Sequence, residues 1–160
     1  MEQKSVRQVA AYYREIPGML RILRSERADL EHEYSSLHGV ASDGMPHGSE
    51  PGRGAEALGI RAAQKDLAGQ TARIDAKLRE LERDQAAIRG CLDGLNGRYK
   101  RILVMRFVHG YSWAKISVKL SVPDSTVRNW CGRALDRLGE ALDALPDRDG
   151  LLERASCART

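Results

Sequence analysis

The 160-residue sequence predicts an all-α protein, with a long helical hairpin followed by a small domain of short helices. Three observations support this fold class. Aromatic residues make up only 5% of the chain, which is too few for a broad β-sandwich core. Charged residues reach 30%, a level typical of solvated helices. Apolar residues also recur at helical spacing along two long segments.

An N-terminal helical segment is expected over residues 1–38. Leu23, Leu30 and Leu37 recur every seven residues and form one apolar stripe. Pro17 lacks a backbone N–H donor, and its ring clashes with the preceding turn. We therefore expect the helix to break or kink at Pro17.

The segment 39–57 differs in composition from the segments on either side. It contains five glycines and two prolines and has no apolar stripe that could bury a core. This composition predicts a flexible loop.

Residues 58–96 carry the strongest periodic signal in the chain. Six apolar residues follow one another at intervals of seven, and a second seam four residues later mixes polar with apolar side chains. The first seam is Ile60, Leu67, Ile74, Leu81, Ile88 and Leu95, and the second is Gln64, Thr71, Leu78, Gln85 and Leu92. Sustained heptads predict a coiled coil. It could form as an antiparallel hairpin with residues 1–38, by self-association between chains, or in both ways.

Residues 97–145 read as three short helices. We expect them at Arg98–Val108, Trp113–Leu120 and from about residue 124 to 142, with Ser112 capping the second helix. The last two are joined by the three-residue turn Ser121–Pro123, which is the pattern of a helix-turn-helix. Residues 146–160 are expected to form a frayed tail.

The third helix has two chemically distinct faces at 100° per residue. Apolar or small side chains collect on one face: Val127, Cys131, Ala134, Leu135 and Leu138. The opposite face carries side chains that donate to phosphates or pair with base edges, as Arg does with guanine and Asn with adenine. With the lysines of the preceding helix, the candidate DNA-binding residues are Ser125, Thr126, Arg128, Asn129, Arg133, Arg137, Lys115 and Lys119. Trp113 is expected in the core, and Trp130 either beside the core or stacked on a partner.

The net positive charge of the chain comes from this segment. Residues 97–145 contain 9 Lys and Arg against 4 Asp and Glu, whereas residues 1–96 contain 14 against 15. Local excess positive charge favours a polyanion, because each neutralised phosphate releases condensed counterions. An ordinary solvated basic face is the alternative.

The same residues resemble a known family. The run RILVMRFVHGYSWAKI from Arg101, with STVRN from Ser125 and RALDRL from Arg133, is similar to region 4 of bacterial RNA polymerase sigma factors. The longer layout, with a helical arm and a Gly-rich loop, resembles the ArpU/RinA type of phage and prophage late-gene regulator. The resemblance implies a helix-turn-helix that binds double-stranded DNA at a promoter and contacts bacterial RNA polymerase.

Three positions depart from the sigma pattern, and one whole region is missing. Ser117 stands where the pattern usually has Ala, Ser121 where it usually has Gly, and Trp130 where a basic residue is common. Ser121 would be strained if the turn needs a positive φ. Nothing resembles sigma region 2, so we do not expect a complete sigma factor.

Other function classes receive less support. A DNA-packaging protein resembling a small terminase subunit is the main alternative, and a helical adaptor that does not bind DNA is a third possibility. No phosphate loop, nucleophile set or metal-ligand spacing occurs, so we expect neither an enzyme nor a cofactor or metal. The N-terminus is no secretory signal and no apolar run could span a bilayer, so we expect a cytoplasmic protein with no membrane contact.

Overall fold

The computed structural model describes residues 1–42 and 53–158, and the side chains of residues 1–37 and 58–158. This part of the chain is all-helical, as predicted. The helices are α1 (Gln3–Ser42), α2 (Arg53–Asp93), α3 (Gly97–Leu103), α4 (Trp113–Leu120), α5 (Asp124–Asp143) and α6 (Arg148–Cys157), with a π-helical turn at Val104–Val108 directly after α3. None of these helices is both long enough and apolar enough to span a membrane.

The residue contacts group the chain into two compact units. One unit, Gly18–Leu81, is a hairpin formed by parts of α1 and α2. Arg27 Nε donates to Asp75 Oδ1 at 2.6 Å, and further along α1 Ser35 shares an open groove with Ala68. The pairing therefore runs antiparallel, as the sequence predicted. Among the side chains of this unit that the structure describes, the buried ones are Leu20, Leu67, Leu78 and Leu81.

Of the two outcomes expected at Pro17, the helix break is wrong, because α1 continues through this residue, and the kink stays a prediction. Proline removes one hydrogen bond from the helical ladder. Ile16 and Leu20 on either side of it are 0% and 5% exposed. Burial of two large apolar side chains offsets the loss of one backbone hydrogen bond, so the helix is not interrupted.

The flexible loop expected at 39–57 is wrong at both ends of that segment, which are helical. Helix α1 extends to Ser42, and α2 already begins at Arg53. Adding a residue to an existing helix gains one hydrogen bond and needs no new nucleus, so a long helix can extend into a poor sequence. The central part, residues 43–52, lies outside the described residues.

The second unit contains Met1–Pro17 and the chain from Glu82 onward. In it, α5 packs against α3 and α4. Gly139 of α5 allows a close approach, since a Cβ at that position would lie 3.1 Å from Val6 Cγ2 of α1. The core combines side chains from α1, α2 and the three short helices, namely Val6, Val9, Ile88, Leu92, Ile102, Leu103, Ile116, Val127, Leu135 and Leu138. The segment 97–145 therefore shares its core with both long helices.

The expectation of a frayed C-terminal tail is wrong for residues 148–158. Residues Arg148–Cys157 form α6, and its Leu151 and Ala155 are each 3% exposed. Arg154 of the same helix binds the buried carboxylate of Asp84 in α2. Helix α6 is therefore packed into this unit by apolar contacts and by an ion pair.

Candidate nucleic-acid interface

The turn between α4 and α5 is held by a serine hydroxyl and a left-handed residue. Ser121 has φ 54° and ψ 42°, and it is the one non-glycine residue with positive φ in the described ranges. Ser117 Oγ donates to the carbonyl oxygen of Val122 at 2.5 Å, and Val122 N–H donates back to Ser117 O at 3.2 Å. Ser117 and Ser121, two of the three positions that depart from the sigma pattern, therefore shape the turn. Pro123 is the N-cap residue of α5.

The start of α4 is fixed in the way the sequence predicted. Ser112 Oγ accepts a hydrogen bond from Lys115 N–H at 3.2 Å, which caps the helix. The preceding turn is held by Arg106, whose Nη1 donates to the carbonyl of Tyr111 at 2.9 Å. These contacts fix the start of α4 and connect the turn before it to the π-helical turn Val104–Val108.

Helix α5 buries one face and exposes the other. Its predicted apolar face is confirmed, because Val127, Cys131, Ala134, Leu135 and Leu138 are all at most 3% exposed. On the other face Ser125, Asn129 and Arg133 are exposed and Thr126 is half-buried. The polar side chains of this face are therefore accessible to solvent, Thr126 only in part.

Arg128 lies at one edge of this exposed face and is held by two contacts. Its Nε donates to Asp124 Oδ2 at 2.9 Å, and its guanidinium lies 5.6 Å from the ring centroid of Trp113. Arg106 covers the same ring at 4.4 Å. The sequence predicted Trp113 in the core, but this side chain is half-buried, and both arginines contact its ring.

The two candidate lysines of α4 share an aromatic partner. Lys115 Nζ and Lys119 Nζ lie 4.0 and 5.5 Å from the centroid of the Tyr111 ring. Both lysines are exposed, and neither forms an ion pair in the described part of the chain. Sequence reasoning missed Tyr111, although its spacing of four and eight residues before the two lysines was a usable signal.

A further cation–aromatic contact joins α3 to α5. The guanidinium of Arg98 lies 4.3 Å from the ring centroid of Trp130. Arg98 is not among the residues that the sequence indicated, because it belongs to a different helix and no local pattern connects it to Trp130.

Arg137 lies away from this group of residues. Its Nη1 donates to Glu140 Oε2 at 2.9 Å, and it lines a groove with the Gly90–Tyr99 region. Asp136, one residue earlier, accepts a hydrogen bond from Gln3 at 2.7 Å. The C-terminal half of α5 therefore carries carboxylates, and the cationic part of its exposed face ends at Arg133.

No metal-binding arrangement is visible in the described ranges. They contain no group of three or more His, Cys, Asp or Glu side chains placed to hold a metal ion. Cys91 and Cys131 are buried, and burial raises the pKa of both thiols.

Comparison with known proteins identifies one family over part of the chain. Residues 85–138 match sigma-70, region 4. No curated protein and no solved structure matches the chain. The matched segment runs from the last part of α2 through α3 and α4 to Leu138 in α5, so the chain contains a sigma region 4-like module.

Proposed function

We propose that this protein is a sequence-specific, DNA-binding transcription regulator that reads the major groove with α5. One observation supports this most directly. Within a module that matches sigma-70 region 4, α5 buries its whole apolar face and exposes Ser125, Asn129 and Arg133 together. Region 4 is a DNA-binding helix-turn-helix, and these three side chains are of the types that pair with base edges or phosphates.

The charge along α5 defines which part enters the groove. The N-terminal half carries Arg128 and Arg133 against Asp124, whereas the C-terminal half carries Arg137 against Asp136, Glu140 and Asp143. Carboxylates are repelled by phosphates, so the C-terminal half should stay outside the groove. Reading by the N-terminal residues of the second helix is the usual docking of a helix-turn-helix.

The lysines of α4 supply the non-specific part of the affinity. Lys115 and Lys119 are exposed and lie over Tyr111, which limits their rotamers. In a helix-turn-helix the first helix crosses the DNA backbone. Phosphate contacts of this kind release counterions, and the affinity should fall steeply with salt.

We propose a phage late-gene regulator of the ArpU/RinA type that contacts RNA polymerase and acts in the cytoplasm of a bacterial host. The hairpin supports self-association, because the heptad residues Leu30, Leu37, Ile60 and Ile74 remain only half-buried within one chain. A two-fold dimer would bind half-sites about one helical turn apart.

The test begins with selection of a preferred duplex from random DNA by the purified protein. Replacement of both reading residues, Asn129→Ala with Arg133→Ala, should abolish the preference and leave weak, salt-sensitive binding and an unchanged helical spectrum. Arg137→Ala, on the same helix, is the matched control, since it should lower affinity equally for all sequences. Unchanged footprints of the double variant on the selected duplex would refute the proposal.

The oligomeric state separates this function from DNA packaging. We expect light scattering of the purified protein to show a dimer. A closed ring of many subunits, with no preference among duplexes, would favour a role resembling that of a small terminase subunit.

A further inference from the structure

We infer that Arg98, held over the ring of Trp130, binds a DNA phosphate on the side of α5 opposite Arg128. The inference rests on the proposed function, since it adds a second backbone contact to the same docking. Sequence reasoning assigned neither Arg98 nor Trp130 to the DNA-binding set.

The first support is that Arg98 is fixed at both its backbone and its side chain. Its N–H donates to Asn96 Oδ1 at 3.0 Å at the start of α3, and its guanidinium lies 4.3 Å from the Trp130 ring centroid. A guanidinium stacked on a ring keeps its N–H edges free to donate in plane. Phosphate oxygens are acceptors that this edge can bind in bidentate fashion.

The second support is that the charge of Arg98 is not neutralised. In the described residues Arg98 is exposed and forms no ion pair. Two other cations of the same unit are neutralised by a neighbour: Arg137 pairs with Glu140 at 2.9 Å and Lys100 with Asp93 at 2.6 Å. Arg98 therefore presents a full positive charge that a DNA phosphate can neutralise.

The third support is the position of Trp130 on α5. At 100° per residue, Arg128 and Trp130 lie on either side of Asn129, which is on the exposed face. A helix in the major groove has a phosphate strand on each side. Arg128 is the cation on one side, and on the other side the helix has Trp130 with Arg98 stacked on it. The two arginines therefore bracket the reading residues.

The experiment measures the affinity for the selected duplex as a function of salt. Arg98→Ala should weaken binding about tenfold and lower the slope of log affinity against log salt by about one, equally for all sequences. Trp130→Leu keeps the charge of Arg98 but removes the ring that holds its guanidinium. The affinity should therefore fall by less than in Arg98→Ala, and the salt slope should stay at the wild-type value. Melting curves of both variants check that the fold is kept.

The matched control is Arg61→Ala, which removes an exposed charge from the hairpin unit. It should leave both affinity and slope unchanged. The inference would be overturned if Arg98→Ala kept the wild-type affinity and salt slope, or if Arg98→Ala and Arg61→Ala lost the same affinity. Either result would leave the proposed function standing. A wild-type protein whose affinity for DNA does not depend on salt would overturn the proposed function itself.

Discussion

Arg154 donates two parallel hydrogen bonds to Asp84, from Nε to Oδ2 at 2.7 Å and from Nη2 to Oδ1 at 2.8 Å. Tyr12 adds a third bond to Oδ2 at 2.9 Å, and the Asp84 residue is only 3% exposed. The hydrogen bonds to Asp84 and then to Asp147 raise the pKa of Arg154, so this arginine stays charged. One buried carboxylate thus ties together α1, α2 and α6, the helices around the module that matches sigma region 4.

Removal of the Asp84 carboxylate should destabilise the protein strongly. Asp84→Leu leaves the partly buried Arg154 without its main partner, and breaking a buried pair in this way costs about 3 kcal/mol or more. Urea denaturation followed by circular dichroism measures the loss.

Two further variants test the reason for that loss. The double variant Asp84→Leu with Arg154→Leu should recover a large part of the stability, because no uncompensated charge is left. Glu140→Gln breaks the exposed pair with Arg137 and should change stability by less than about 1 kcal/mol. Equal losses in Asp84→Leu and Glu140→Gln would contradict the assignment of Asp84 as a buried ionic centre.

Stability should fall at acid pH partly through Asp147. Its hydrogen bond from Arg154 lowers the pKa of Asp147 below the ordinary value of 3.8. A carboxyl group with a lowered pKa in the folded state stabilises the fold above about pH 4, and this contribution is lost as pH falls through the folded-state pKa. Between about pH 5 and pH 2, the melting temperature of Asp147→Asn should therefore decline less steeply than that of the wild-type protein. Parallel declines would show that Asp147 does not contribute.

Ser121→Gly should stabilise the protein. A left-handed conformation costs an L-residue about 1 kcal/mol, and glycine avoids this penalty although it loses more backbone entropy on folding. We expect a net gain of up to about 1 kcal/mol in thermal or urea denaturation. Ser121→Ala is the control and should give no gain, because alanine meets the same steric clash as serine.

Ser117→Ala should destabilise the turn. The hydroxyl of Ser117 donates to Val122 O inside a half-buried site, and a hydrogen bond of this type contributes about 1 kcal/mol. Ser156→Ala, which removes an exposed bond to Leu152 O on α6, should cost less. Amide hydrogen exchange should show the loss of protection at Val122, and unchanged exchange there would contradict the assignment.

The three cysteines should differ in reactivity. Cys157 is exposed, whereas burial raises the pKa of Cys91 and Cys131, and the thiolate is the reactive form. A chromogenic disulfide reagent at pH 8 should therefore react rapidly with about one thiol, and with the other two only when the protein unfolds. Removal of the fast phase by Cys157→Ser confirms the assignment, and its persistence would contradict it.

The sequence predicted those elements whose signals are local. Helix α4 occupies Trp113–Leu120 as expected, because its cap at Ser112 and the following turn lie within a few residues of it. The two faces of α5 follow from the helical repeat of 100° per residue. The burial of its apolar side chains confirms the predicted apolar face.

The errors concern interactions between residues far apart in sequence. Helix α6 has a short and weakly amphipathic sequence, and its position depends on Asp84, 70 residues before Arg154. The stacking of Arg98 on Trp130 likewise joins two helices whose sequences contain no mark of the contact. The helix break at Pro17 was wrongly predicted because the rule that proline interrupts a helix considers only local backbone sterics, whereas the burial of Ile16 stabilises the helix there.

The unit that contains α5 is assembled from two stretches of chain that the hairpin separates. Val6 packs beside Gly139, and Gln3 bonds Asp136 across 133 residues. During synthesis, Met1–Pro17 leaves the ribosome long before these partners exist, so this unit can assemble only after α5 has been synthesised. The contacts of the intervening hairpin span fewer residues, 48 between Arg27 and Asp75, so the hairpin can form earlier. It then shortens the effective loop that the later docking step must close.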